Sequence, residues 1–189
     1  LDRNAEQLQT DLLAGDLEVA IYGIPGQSTP EKLHTLPLFR ERMVIAVSTE
    51  HALSRSENIR ISQLQGLPYL ERTNCEFADF GEQVFTERGV TGPTVYSSER
   101  DDWVLAMVAA GMGYSFLPES TAQFKGVAVR PLIDPEFWRD INLVTVRGRP
   151  YSPAVGAFVR EVMRTKWMGA PAISKLDLIA RNAAESSDP

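Results

Sequence analysis

Apolar positions along this chain follow two rhythms, one with helical spacing and one with strand spacing. Leu8, Leu12 and Leu13 share a helical stripe, with Asn4 placed as N-cap and Gly15 as the residue past the end, which predicts a short amphipathic helix over 5–14. LEVAIY, 17–22, alternates like a strand and is stopped by Gly23, Pro25 and Gly26. Segment 36–48 contains the near-continuous apolar run Met43 to Val47, the mark of a strand buried on both faces. After the polar loop 51–58, 61–66 suffices for one helical turn and 67–72 for a short strand.

Phe77, Phe80, Val84 and Phe85 then recur at helical spacing, and Gly89 closes that helix. A strand at 94–98 leads through Asp101 and Asp102, acidic residues that complement a helix dipole, into WVLAMVAA, ended by Gly111 and Gly113. Strands follow at 114–118, 127–131 and 141–147, and Ser152 with Pro153 opens a helix bearing Val155, Phe158, Val159, Val162 and Met163. The tail from 169 to 189 is weakly patterned and reads as an appendage. Alternating strands and helices predict an α/β protein with mainly parallel sheets.

At 189 residues with a net charge of -6, the chain can bury a real core but has no Lys/Arg stripe for neutralising phosphates, so it is not expected to bind DNA by itself. Cys75 is the single cysteine, which rules out an internal disulfide and fits a reducing cytoplasm. No run of about 18 apolar residues is present and the start has no basic and apolar leader pattern, so no membrane span or signal peptide is expected. The opening residues read as the run-in to a helix with no strand before it, so a longer natural protein is expected upstream.

Five stretches, LLAGDLEVAI, LPLFRERMVIAVSTEHAL, ISQLQGLPYLER, MVAAGMGYSFLPE and INLVTVRGRPYSPAVGAFVREV, resemble in order the effector-binding domain of LysR-type transcriptional regulators over residues 8–163. The resemblance implies a type II periplasmic-binding-protein-like fold: two α/β lobes joined by two crossing strands, with a small-molecule effector in the cleft between them. Lobe I would be 1–48 plus 147–168 and lobe II 49–146, with 169–189 a tail. It also implies that the DNA-binding winged helix-turn-helix, the linker helix, and the first strand and helix of lobe I lie outside this chain. Homo-oligomerisation and DNA binding then belong to the full-length regulator.

Ligands of open α/β sheets sit at the carboxyl ends of strands, near helix N-termini. Thr73, Asn74, Cys75 and Glu76 follow the strand PYLER, and Ser97, Ser98 and Glu99 follow the strand at 94–98, so both sets are candidates for effector contact. Thr73 or Asn74 can equally cap the next helix, and the serines can act as cap or hinge. Asn4 and Tyr22 with Gly23 would face them from the other lobe, Tyr22 with packing as its ordinary alternative. Arg139, Arg147 and Arg149 flank the second crossing strand as candidates for an anionic effector or as solvated surface groups. Trp103, Met107, Val108, Trp138 and Trp167 are assigned to the core.

His34 and His51 lack metal-ligand spacing with Cys75 or with each other, and MVAAGMGYS has the helix-to-strand order that a dinucleotide fingerprint reverses. No metal, cofactor, catalytic residue or enzymatic activity is expected. Two other readings are a transporter's solute-binding protein on the same fold and a cysteine-based redox regulator. Cys75 matches the reactive cysteine of the family's peroxide sensors, but their resolving partner nine residues on is here Val84, and the preceding His is Asn74. A Cys75→Ser variant whose promoter response to peroxide equals that of the parent dismisses redox sensing; a response lost with the thiol establishes it.

Overall fold

The computed structural model describes residues 3–24, 30–73 and 84–167. The chain divides into two units, Leu1–Arg40 with Asp140–Pro189, and Glu41–Arg139. The exchanges fall inside two long strands, at 40/41 and 139/140, where the sequence places lobe boundaries near 48/49 and 146/147.

In the first unit α1 (Ala5–Ala14) forms as its end signals predict. Asn4 Oδ1 accepts from the Gln7 backbone N–H at 2.9 Å while Gln7 Oε1 accepts from the Asn4 N–H at 3.4 Å, and Gly15 turns left-handed at φ 95°. Arg149 Nη1 donates to the Leu12 carbonyl at 3.0 Å, satisfying one of the last-turn acceptors. Strand β1 (Val19–Ile24) pairs antiparallel with the last strand, β8 (Trp138–Val146), in register Val19↔Thr145. Leu8, Leu12, Ala20, Tyr22, Leu33 and Val144 form the core. A second helix (Pro153–Arg164) opens where the Ser152–Pro153 signal predicts, Ser152 Oγ accepting from the Val155 N–H at 3.4 Å.

In the second unit the far end of β2 (Leu33–Ser48) explains its apolar run. Met43, Ile45 and Val47 enter a core with Ile59, Leu64 and Phe116, while Val44 and Ala46 enter another with Leu70, Val104 and Leu117. Both faces of this stretch are covered, and each large side chain buried there contributes about 1.5–3 kcal/mol. Strand β3 (Ile59–Arg60) runs parallel to β7 (Val127–Ile133), and β4 (Tyr69–Arg72) runs parallel to β5 (Thr94–Ser98). Between β5 and β6 (Ser115–Pro118), α2 (Asp101–Ala109) sets Val104, Leu105 and Val108 on the core shared with β2 and β4. The helix at the end of the unit described first is accordingly α3.

The expectation of mainly parallel sheets is corrected. β1 with β8, and β2 with both β6 and β7, are antiparallel. These partners come from distant parts of the chain, so their sense is set by tertiary pairing and not by the local helix–strand alternation. Parallel pairing survives in β3–β7 and in β4–β5, and the described residues 84–87, between β4 and β5 in the chain, are helical. Gly89 ends that helix at φ 66°, and Val84 and Phe85 pack on the core; Phe77 and Phe80 lie outside the described residues, as does the tail.

Trp103 is corrected too: it is 53% exposed on the first turn of α2 rather than in the core. The core assignment of Trp138 is corrected as well: it is 36% exposed, with the Arg42 guanidinium 4.6 Å from its ring centroid, while Trp167 stacks on Phe39 at 5.4 Å. Val108 is fully buried and Met107 partly so. No helix among the described residues is long and apolar enough to cross a membrane.

The glycines after α2 separate two roles. Gly111 adopts φ 78° and ends the helix, whereas a Cβ on Gly113 would stand 2.3 Å from the Pro68 carbonyl oxygen. That close approach lets Tyr114 bridge to β4, its N–H donating to Pro68 at 3.0 Å and its carbonyl accepting from Leu70 at 2.8 Å. Burial pushes the Tyr114 phenol up to about 12 from 10.0. Because the folded state disfavours the phenolate, the stability tied to this group is complete below pH 10.0 and is lost as pH climbs toward about 12. Denaturant melts across that alkaline range should therefore lose stability more steeply in the parent than in Tyr114→Phe; parallel pH profiles would refute it.

Candidate ligand-binding site

Parallel pairing with Glu71 opposite Ser97 and Arg72 opposite Ser98 brings the carboxyl ends of β4 and β5 to one level. The Thr73 N–H extends the ladder by donating to the Ser98 carbonyl at 3.1 Å, and α2 starts three residues after Ser98. Thr73, Ser98 and Glu99 are thus gathered at a strand-end, helix-start position inside the second unit. Ser98 Oγ accepts from the Arg100 N–H at 3.0 Å, and Ser97 Oγ donates to Glu71 Oε2 at 2.6 Å. Asn74, Cys75 and Glu76 lie outside the described residues.

Two ion pairs frame the site. Arg72, its side chain 10% exposed, donates twice to Asp101, at 2.6 Å from Nε and 3.0 Å from Nη2, which ties the first turn of α2 to the end of β4. Arg100 grips Asp102 at 3.0 and 2.7 Å in the open and lies over the Trp103 ring at 5.2 Å. Their hydrogen bond holds the Asp102 carboxyl below its ordinary range and raises the Arg100 guanidinium above its own. Arg100 as N-cap gives α2 no side-chain cap bond, so Asp101 and Asp102 in the first turn answer the helix dipole instead.

Asn4 and Tyr22 belong to the first unit. The Asn4 side chain serves the capping box of α1. Tyr22 is 8% exposed within the core of that unit, and its hydroxyl has no partner in hydrogen-bonding geometry among the described residues. Burial raises it, with the nearby Gln9 side chain drawing it partly back.

Of the three arginines in and after β8, Arg147 and Arg149 are exposed, as the surface reading expects, and Arg139 is largely buried; all three donate to the protein's own acceptors. Arg139 Nε donates to Glu41 Oε1 at 2.6 Å, beside Ser120 Oγ on Glu41 Oε2 at 2.6 Å. Arg147 bonds the carbonyls of Glu31 and Leu33, and Arg149 that of Leu12. The Arg72–Asp101 pair escapes the sequence reading. Its signal is the alternation of YLER, which puts Arg72 on the same face as fully buried Leu70 and so demands an acidic partner.

His51 Nδ1 accepts from the Leu53 N–H at 3.1 Å as a cap, and no cluster of metal-ligating side chains occurs among the described residues. A shallow recess beside Glu18 in the first unit is lined by Thr145, Arg149 and Tyr151. Its polar groups already bond one another or nearby chain, Ser152 to Glu18 at 2.9 Å among them.

The LysR substrate binding domain model matches residues 2–166. This chain belongs to that family. It is 30% identical over 163 residues to the hydrogen peroxide-inducible genes activator of Pectobacterium carotovorum subsp. carotovorum, covering 83% of this chain and 52% of that protein. It is also 30% identical over 155 residues to the DNA-binding transcriptional dual regulator OxyR of Escherichia coli K12, covering 79% and 50%. The chain thus spans about half the length of the curated relatives it matches. Among solved structures, the C-terminal domain of a probable LysR family regulator from Rhodococcus sp. RHA1 superposes with TM-score 0.74 at 22% identity, over 86% of this chain and 82% of that one. The type II periplasmic-binding-protein-like α/β fold follows from these matches.

The Arg72–Asp101 pair carries a test. Asp101→Asn removes the counter-charge that Asp101 offers the mostly buried guanidinium, and a cost of about 3 kcal/mol is expected in urea unfolding. A change under about 0.5 kcal/mol would show the pair to be dispensable.

Proposed function

We propose that this domain senses a small-molecule effector for a LysR-type transcription regulator and performs no chemistry on it. The effector is held at the ends of β4 and β5, with Thr73, Ser98 and Glu99 as contacts. The observation that carries the reading is the level pairing of Arg72 with Ser98, which opens two strand ends beside the start of α2 in a chain of this family. Asn74, Cys75 and Glu76, next in the chain after Thr73, are proposed contacts on sequence position alone. A ligand that favours one conformation of the domain over another shifts their populations. In the whole cytoplasmic regulator, a DNA-binding domain outside this chain and self-association convert that shift into control at a promoter.

Two solved relatives support a small-molecule reading: the effector binding domain of QuiR, in complex with shikimate, and the CcmR regulatory domain, in complex with 2-PG. The peroxide response of the activators at 30% identity is not carried over, because Cys75 has Val84 nine residues on, where the resemblance calls for a second thiol.

A thermal-shift screen of metabolites followed by titration tests the proposal. An effector present at 100 times its dissociation constant should stabilise the domain by about 2.7 kcal/mol. Ser98→Ala should weaken that effector about tenfold by removing one hydrogen bond in the site. A hit whose affinity ignores Ser98 and Thr73 substitutions would move the site elsewhere.

A further inference from the structure

The outer side of α2 is apolar where a surface helix is ordinarily polar. From Trp103 to Ala110 the run WVLAMVAA holds no charged side chain, hydroxyl or amide, and a helix apolar all round is one that ends up covered all round. Val104, Leu105 and Val108 fill the core shared with β2 and β4. Trp103, Ala106, Met107 and Ala110, the last just past the helix end, are spaced i, i+3, i+4 and i+7 and so share the opposite side. Trp103 is 53% exposed, Ala110 is exposed, and Ala106 and Met107 are half-buried. A continuous apolar stripe left in water marks a contact surface.

The order of sizes along the stripe points to what covers it. It runs large, small, large, small: indole, methyl, thioether, methyl. When two copies lie antiparallel about a two-fold axis level with Ala106 and Met107, Trp103 meets the partner's Ala110, and Met107 meets the partner's Ala106. Every large side chain then faces a small one, and the match is reciprocal, as a two-fold contact requires. A parallel arrangement would set indole on indole and thioether on thioether. Antiparallel helices also place their dipoles head to tail, and the Arg100–Asp102 pair at the helix start, neutral as a unit, brings no net charge into the contact. We propose that α2 is a self-association surface, on which a second copy of this chain docks antiparallel through Trp103, Ala106, Met107 and Ala110. The contact is independent of the effector site proposed above.

Sedimentation velocity on the full chain tests this. One helix face per copy is smaller than a standard interface of about 1,600 Å², so a weak, reversible dimer is expected, forming between roughly 10 and 500 μM. Trp103→Ala should weaken it at least about tenfold, since a buried Trp is a typical interface anchor. Ala110→Trp should weaken it comparably by setting indole on indole. Combining the two, Trp103→Ala with Ala110→Trp, puts large against small again and should recover most of the parent's affinity. Met163→Ala, which trims an exposed apolar side chain of the first unit, should change nothing. Thermal melts matching the parent's separate a lost contact from a lost fold. A chain that stays monomeric to about 500 μM overturns the proposal and leaves the stripe to a different partner. A dimer indifferent to Trp103→Ala overturns it by moving self-association to another surface. A double variant no better than either single overturns it by showing no size matching across the two-fold.

Discussion

The architecture depends on two strands keeping their register where the chain passes from one unit to the other. β2 leaves the first unit after Arg40 and β8 returns before Asp140, and these two residues pair at 2.8 Å within that unit. One residue further along each strand, Glu41 and Arg139 pair within the second unit with the charges reversed. Each pair lies within its own unit, and a one-residue slip of β2 would turn its buried alternation inside out. Glu41 is 7% exposed, so its charge is costly to bury and is tolerated because Arg139 and Ser120 answer both oxygens.

The buried stretch of β2 serves two cores, and the second core builds the candidate site. Leu70 sits in that core with Val104, Leu105 and Val108 of α2, so the same apolar packing that fixes β4 also fixes the helix. Arg72, two residues further on the same face, then reaches Asp101 at the helix start. Hydrophobic contact sets where α2 lies, and the ion pair sets where its first turn ends up relative to the strand ends. A site so framed is held by secondary structure at three points, the arrangement that keeps contact geometry tight.

Local chemistry is what the sequence makes legible. Asn4 and Gly15 bound α1, Ser152 with Pro153 opens α3, and β5 spans Thr94–Ser98 as its pattern predicts, because caps and alternation act over a few residues. Strand direction is illegible for the opposite reason: β2 finds β6 and β7 across about 70 to 85 residues of chain, and nothing local records which way a partner will run. Trp103 misleads because a helix whose other large residues are buried makes every apolar position look internal, while the first turn stands clear of the core. Of the candidate site, position in the chain suffices to bring Thr73, Ser98 and Glu99 together; the Arg72–Asp101 pair, separated by 29 residues, needs the fold.

The arginines carry the same lesson one step further. Arg139, Arg147 and Arg149 sit where a reader looking for an anion receptor would want them, yet each has its donors turned to the protein's own acceptors: a glutamate in one case and backbone carbonyls in the others. The Arg139 guanidinium, 14% exposed, has exchanged most of its water for fixed partners, while Arg147 and Arg149 stay exposed beside their carbonyls, and recruiting any of them to a ligand would mean breaking bonds that hold β8 and α1 in place. Residue type therefore says little about ligand charge. What counts is which charges the folded chain leaves facing solvent, and among the described residues at the ends of β4 and β5 the exposed Glu99 makes no ion pair, while Asp102 pairs with an Arg100 that is itself exposed.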